Sequence, residues 1–180
     1  MCGGAGTRLG GDVEKPLVAV GGTPMVDRVC AALAASRVGT VHAAVSSRAP
    51  ATRDHLRSAD VHVVETPGEG YVADLTAALD RIGRPALTVA ADLPLLTAET
   101  VNPVLDAGSG SITVAVPVAL KRRLGVSVDT AFDHGGRRLA PTGVNVVAAG
   151  TDDDIYERDD PRLAVNVNRP PDLRVAEARS

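Results

Sequence analysis

Five segments of the chain carry residue types suited to phosphate chemistry. The first is Gly3-Gly4-Ala5-Gly6-Thr7-Arg8-Leu9-Gly10-Gly11, followed by Lys15-Pro16-Leu17. Five glycines in nine residues let backbone N–H groups come close to an anion. Arg8 and Lys15 add positive charge for triphosphate oxygens. No Gly-Lys-Ser/Thr follows at the Walker A spacing, and the third glycine is misplaced for a dinucleotide fingerprint. The alternative is a flexible glycine-rich tail, against which the set distance to Lys15-Pro16-Leu17 argues.

The second segment is Ala90-Ala91-Asp92-Leu93-Pro94, at the end of an apolar run. In open α/β sheets, ligands sit outside the carboxyl ends of strands. An aspartate there can hold a divalent cation between phosphates, or it can simply cap a turn. The third is Pro67-Gly68-Glu69-Gly70-Tyr71-Val72-Ala73-Asp74-Leu75, where Gly70 and its neighbours allow a second close backbone approach. Tyr71 equally suits a helix start covering the core edge. The last two are Thr142-Gly143-Val144-Asn145-Val146 and Val165-Asn166-Val167-Asn168. Asparagine opposes β propensity, and a buried amide needs partners, from protein or ligand. Asn166 and Asn168 lie two apart and share one face of an extended chain; turn closure is the other reading of both.

These segments need a frame to position them. Residues 40–46, 61–65, 86–91, 112–118, 143–148 and 163–167 read as short strands, with Pro117 ending the fourth or placing it at an edge. Residues 24–36, 51–58, 70–82, 98–107 and 171–179 read as helices, and Thr97 offers a start for the fourth. Repeated βα units predict an α/β, Rossmann-like domain over 1–180, with a mostly parallel sheet and helices on both faces. The acidic run Asp152-Asp153-Asp154 and Asp159-Asp160 reads as solvated loop. Phosphate-cradling loops follow a buried strand. Only Met1 and Cys2 precede Gly3, so the expectation is a late start that has lost about five to eight residues of a first strand.

Composition narrows the function classes. The 180 residues are 44% hydrophobic and 23% charged, the balance of a soluble globular domain rather than a disordered chain. No apolar run is long enough to cross a membrane. The net charge of −3, with no basic cluster larger than Lys121-Arg122-Arg123, disfavours nucleic acid as a partner. One Phe, two Tyr and no Trp leave few platforms for base stacking. Cys2 and Cys30 have no ligand spacing, which disfavours zinc. Of the two lysines, Lys15 draws interest from its motif, and Lys121 needs nothing beyond composition. No signal or transit segment is visible, so the cytoplasm is the expected compartment.

With the five segments in this order, the chain resembles the MobA-like nucleotidyltransferases of the glycosyltransferase-A, or nucleotide-diphospho-sugar transferase, type. Within that group it is most similar to the archaeal adenosylcobinamide-phosphate guanylyltransferases. Lys15-Pro16-Leu17, Gly68-Glu69-Gly70-Tyr71, Gly143-Val144-Asn145-Val146-Val147 and Asn166-Val167-Asn168 carry the likeness, which runs from Gly3 to Glu177. The resemblance implies transfer of a guanylyl group from GTP to a corrinoid phosphate, in cobalamin synthesis, with Mg2+ as cofactor. It implies that Gly3, Gly4, Ala5, Gly6, Thr7 and Arg8 hold nucleotide phosphates and that Lys15 takes part in the chemistry. It implies a metal-binding role for Asp92, with Gly70, Gly143, Asn145 and Asn166 around the nucleotide. Cys2 stands where the family usually has Ala. Molybdenum-cofactor guanylyl transfer is the rival enzyme reading; a non-catalytic GTP-binding regulator and an interaction protein without a nucleotide site are rivals of other classes. The oligomeric state is open, and a homodimer is one assembly the sequence allows.

Overall fold

The computed structural model describes residues 1–3, 9, 13–59 and 61–180. Gly4, Ala5, Gly6, Thr7 and Arg8 of the glycine-rich segment lie outside the described residues.

A 3-10 turn at Lys15–Leu17 leads into a small hairpin of β1 (Ala19–Val20) and β2 (Thr23–Pro24), then α1 (Met25–Ala34). The order continues β3 (His42–Ser46), α2 (Pro50–Leu56), β4 (His62–Thr66), α3 (Tyr71–Ile82), β5 (Ala86–Val89) and α4 (Ala98–Leu105). Then come β6 (Ser111–Pro117), α5 (Val118–Leu124), β7 (Phe132–His134), β8 (Arg137–Val147) and β9 (Asp153–Glu157). Helices α6 (Pro161–Ala164) and α7 (Pro170–Glu177) close the chain.

Strands β3 and β4 pair in parallel, from His42 opposite His62 to Ser46 opposite Thr66. A second group runs β5-β8-β6-β9, with β7 paired to β8. Met1 and Cys2 bridge the two groups. The Cys2 amide donates to the Ala44 carbonyl at 2.8 Å, and the Met1 ammonium donates to the Val89 carbonyl at 2.8 Å. The Ala91 amide in turn donates to the Met1 carbonyl at 3.2 Å. Two residues thus span the centre of the sheet at the carboxyl ends of β3 and β5. Toward the amino ends of the same strands lies a cleft of about 500 Å3, walled by apolar groups such as Val29, Val41, Ala43, Leu87 and Leu105.

Alternation along β3 explains why helices cover both faces. Ala43 and Val45 pack with Val26 of α1 and Leu56 of α2, whereas Ala44 packs with Val64 of β4 and Ala78 of α3. The largest core cluster joins Val29 of α1 and Val101 and Val104 of α4 to Val89, Val114, Val116 and Val144 of the sheet. Small aliphatic side chains suffice because both faces are sealed.

Three expectations need correction. The sheet is mixed: β8 runs antiparallel to both β5 and β6, because the chain enters it from the β7–β8 hairpin. Residues 163–167 are not a strand. Pro161–Ala164 form α6, with Asp160 as N-cap accepting from the Arg162 amide at 2.9 Å, and the buried Val165–Val167 stretch follows it outside any strand. The acidic run is not loop alone. Asp153 and Asp154 open β9, an edge strand paired in parallel with Ser111–Ala115 of β6, where charge suits the exposed edge. Thr97 does begin α4, and its amide donates to Thr100 Oγ1 at 3.1 Å.

Candidate active site

The site gathers at the carboxyl end of β5, where three distant pieces of chain meet. Lys15 sits on the 3-10 turn, held down by buried Pro16. The turn is tied to α2 by Glu14, whose carboxylate accepts from the amides of Ala51 (2.9 Å) and Thr52 (2.7 Å) and from Thr52 Oγ1 (2.6 Å). Burial raises the Glu14 pKa, but these donations from Thr52 and Ala51 outweigh it and hold the carboxyl below its ordinary range.

Asp92 follows β5 by three residues. Its Oδ2 accepts from Lys15 Nζ at 2.6 Å and its Oδ1 from Asn166 Nδ2 at 3.1 Å. Its backbone carbonyl accepts from the Val167 amide at 2.9 Å, which locks the two segments together. Asn168 Oδ1 takes a second bond from Lys15 Nζ, at 2.6 Å. Behind them Asp172 is fully buried. It accepts from the amides of Asn168 (3.0 Å), Arg169 (2.9 Å) and Ser127 (2.7 Å), and from Ser127 Oγ (2.8 Å). The turn carrying Asn168 is therefore set by a carboxylate rather than left free.

Gly143 has φ +85°, and a Cβ there would lie 2.9 Å from Ala90 Cβ. Its carbonyl accepts from the Ala90 amide at 2.9 Å. Only glycine allows β8 so close to the strand end that presents Asp92. Gly68, also in the left-handed region, donates its amide to Asp74 Oδ1 at 2.7 Å. A Cβ on it would come within 2.5 Å of Ser47 Oγ. Gly70 and Tyr71 line a second cleft of about 240 Å3 with Gly3, Lys15 and Asp92. Thr66, which lines the same cleft, is buried and its hydroxyl has no hydrogen-bond partner among the described residues.

The fold thus brings together Lys15, Asp92, Asn166 and Asn168, with Gly3, Gly70 and Gly143 close by. It places Asn145 apart: that side chain lies against β5, with Nδ2 3.5 Å from Thr88 Oγ1. Residues outside the expected set support the rest. Lys121 is buried, donating to the carbonyl of Ala164 at 2.7 Å and to Asn166 Oδ1 at 3.0 Å. Burial lowers its pKa, and the charges of Asp172, Asp92 and Asp129 pull the other way. The rarity of lysine in this chain was the one available signal for it. Glu14 gave none, since an acid before Lys-Pro has no motif of its own.

Among the described residues, no three His, Cys, Asp or Glu side chains gather as a metal cage. Asp92 offers one carboxylate at the mouth of the site. That donor set fits a divalent cation that takes one or two carboxylates and completes its shell with phosphate oxygens and water.

The fold and site are those of a nucleotide-handling α/β domain, and the chain belongs to the MobA-like NTP transferase domain family, whose model matches residues 1–128. Aligned over 192 residues, it is 31% identical to adenosylcobinamide-phosphate guanylyltransferase of Methanocaldococcus jannaschii, covering 98% of this chain and 93% of that protein. Solved structures share the fold. A hypothetical transferase from Thermus thermophilus superposes with a TM-score of 0.74 at 19% identity, over 96% of each chain. CMP:2-keto-3-deoxy-manno-octonic acid synthetase complexed with CTP superposes with a TM-score of 0.67 at 15% identity, over 92% of this chain and 91% of that one. Among the described residues, no helix is long and apolar enough to cross a membrane.

Proposed function

We propose that this protein transfers the guanylyl group of GTP to adenosylcobinamide phosphate, giving adenosylcobinamide-GDP and pyrophosphate. The observation that carries the reading is the Lys15–Asp92 pair at a strand end, framed by Asn166 and Asn168, in a chain similar over its length to a protein of that name.

The acceptor phosphate is already anionic at neutral pH, so attack needs no strong base. Its oxygen forms a bond to the α-phosphorus, the α–β bridging bond breaks, and pyrophosphate leaves with the electron pair. The protein's task is alignment and charge neutralisation. Backbone amides of Gly3, Gly4, Ala5, Gly6 and Thr7, with the Arg8 guanidinium, hold β and γ oxygens. Lys15 stabilises charge spreading on the α-phosphoryl group. Asp92 would hold Mg2+, which supplies further neutralisation of phosphate charge. Gly70, Gly143 and Asn166 border the nucleoside. The enzyme works in the cytoplasm, as a homodimer or alone.

Incubation with GTP, Mg2+ and adenosylcobinamide phosphate should yield a product of the mass of adenosylcobinamide-GDP and one pyrophosphate per turnover. A parallel arm with molybdopterin as acceptor should yield none; the opposite pattern would exchange the two acceptors. GTP at a hundred times its Kd should stabilise the fold by about 2.7 kcal/mol. No rise in melting temperature with GTP would remove the nucleotide site altogether.

A further inference from the structure

We propose that Lys121 is a positioning residue: its buried ammonium holds the Asn166 amide in one of two orientations, and through it aims the Asp92 carboxylate into the site. The proposal rests on the reading of Asp92 as the site's carboxylate.

The geometry starts from α5. Val118 and Leu120 of this helix are buried, and Lys121 is turned inward beside them at 4% exposure. A lysine at such a position costs stability unless its donors are matched. Here the ammonium grips one segment twice, at the Ala164 carbonyl and at Asn166 Oδ1. Asn166 is itself 8% exposed, and its Nδ2 donates to Asp92 Oδ1 at 3.1 Å and to the Thr142 carbonyl at 2.7 Å.

An ammonium only donates, and a carboxylate and a carbonyl only accept. The Asn166 amide is the one group among them with both capacities. With its oxygen toward Lys121, all three contacts are satisfied. A half-turn about its last torsion would set NH2 against NH3+ and oxygen against both Asp92 and the Thr142 carbonyl, three mismatches in a buried place. The ammonium thus fixes the amide from its oxygen side, while Asp92 and the Thr142 carbonyl fix it from its NH2 side. Lys15 holds the other oxygen of that carboxylate. Asp92 is thus aligned from two sides by the chain's two lysines, one directly and one through an amide. A neutral apolar side chain at 121 would fill the space but leave Asn166 Oδ1 without its donor, so that the amide is held from its NH2 side alone.

The test is a double-mutant cycle on guanylyl transfer, with activity normalised to the folded fraction by circular dichroism. Lys121→Met should lower kcat by about 10- to 100-fold, the range seen when partners of site ligands are removed, with the KM for GTP changed less than about threefold. Asn166→Ala should lose a similar factor, and Lys121→Met/Asn166→Ala should be no slower than Asn166→Ala alone. Losses that multiply, or an unchanged kcat in Lys121→Met, would overturn the proposal. A merely structural lysine would lower the melting temperature without this pattern.

Nuclear Overhauser contacts of the Asn166 side-chain amide in the unaltered protein decide the orientation without any variant. Contacts to Gly143 Hα are expected, since a Cβ at Gly143 would lie 3.8 Å from Asn166 Nδ2. Contacts to the Lys121 ε-methylene instead would place the NH2 against the ammonium and sink the idea. If the unaltered protein transfers no guanylyl group, the function proposed above fails, and these contacts still decide the role of Lys121.

Discussion

Lys15 donates to Asp92 and to Asn168, both at 2.6 Å, so its ammonium is a structural tie as well as the charge assigned above to the α-phosphoryl group. Its two roles separate in kinetics. Lys15→Ala should lower turnover by roughly 10²–10³, the cost of one preorganised donor at a developing charge. The GTP dissociation constant, read by calorimetry, should rise far less, because phosphate binding is spread over many amides. An unchanged turnover would take Lys15 out of the chemistry. Gly143 has the opposite character, with no functional group and a strict backbone demand. Gly143→Ala places a Cβ 2.9 Å from that of Ala90 at φ +85°. The strain and overlap should cost about 2–3 kcal/mol of unfolding free energy, measured in urea. The sequence marked Gly143 only through its segment's likeness to a family; that Ala90 would crowd it was not readable, since the two meet only across β8 and β5.

Short elements here depend on neighbours rather than on their own propensity. Helix α2 has seven residues, and its first amides are taken up by Glu14, which lies 37 positions upstream of Ala51. The Glu14 carboxyl is more acidic in the folded chain than its ordinary value of 4.5. Its contribution to stability is therefore complete above that value and is lost as pH falls through the lowered one. Glu14→Gln should lower the melting temperature at pH 7 by roughly 2–4 °C, the worth of one helix cap. The gap between variant and wild type should close as the pH is taken from 5 to 3. A gap independent of pH would mean that the carboxylate's charge contributes nothing. The long helices were legible because apolar residues recur along one face, as Met25, Val29 and Ala32 do in α1. Helix α6 and strand β9 were not. One is four residues long, and the other carries two aspartates at its start and draws its pairing from β6.

The whole molecule is held at its centre by very little backbone. Among the described residues, Met1 and Cys2 are those that pair with both β3 and β5, and the cleft of about 500 Å3 beside them is lined by apolar groups from both faces. A cleft of that kind forgoes contacts that packed interiors normally make. Five apolar, β-branched residues fused ahead of Met1 would run alongside His42–Ala44 and Ala86–Val89. They should raise the melting temperature by roughly 5–10 °C, the worth of a few kcal/mol in a domain of this size. A charged extension of equal length should not. Equal effects of the two would show that the cleft does not take a strand.

The order of elements from α1 to β6, the sealing of both sheet faces and the chemistry-bearing segments were determined by the sequence itself, because periodicity, glycine spacing and Lys-Pro-Leu are local patterns. Asp92 at a strand end was likewise readable along the chain, whereas Asn166 and Asn168 were expected on a strand that does not form. What only tertiary structure decided was the partnership between them. Lys15 and Asp92 are 77 positions apart, and Lys121 reaches Asn166 across 45. No local pattern encodes which donor a buried carboxylate will face, because that follows from how β5, β8 and the loop before α7 converge. The reversed direction of β8 and the inward turn of Lys121 belong to the same class. Each is fixed by what surrounds it in space, and not by its neighbours in the chain.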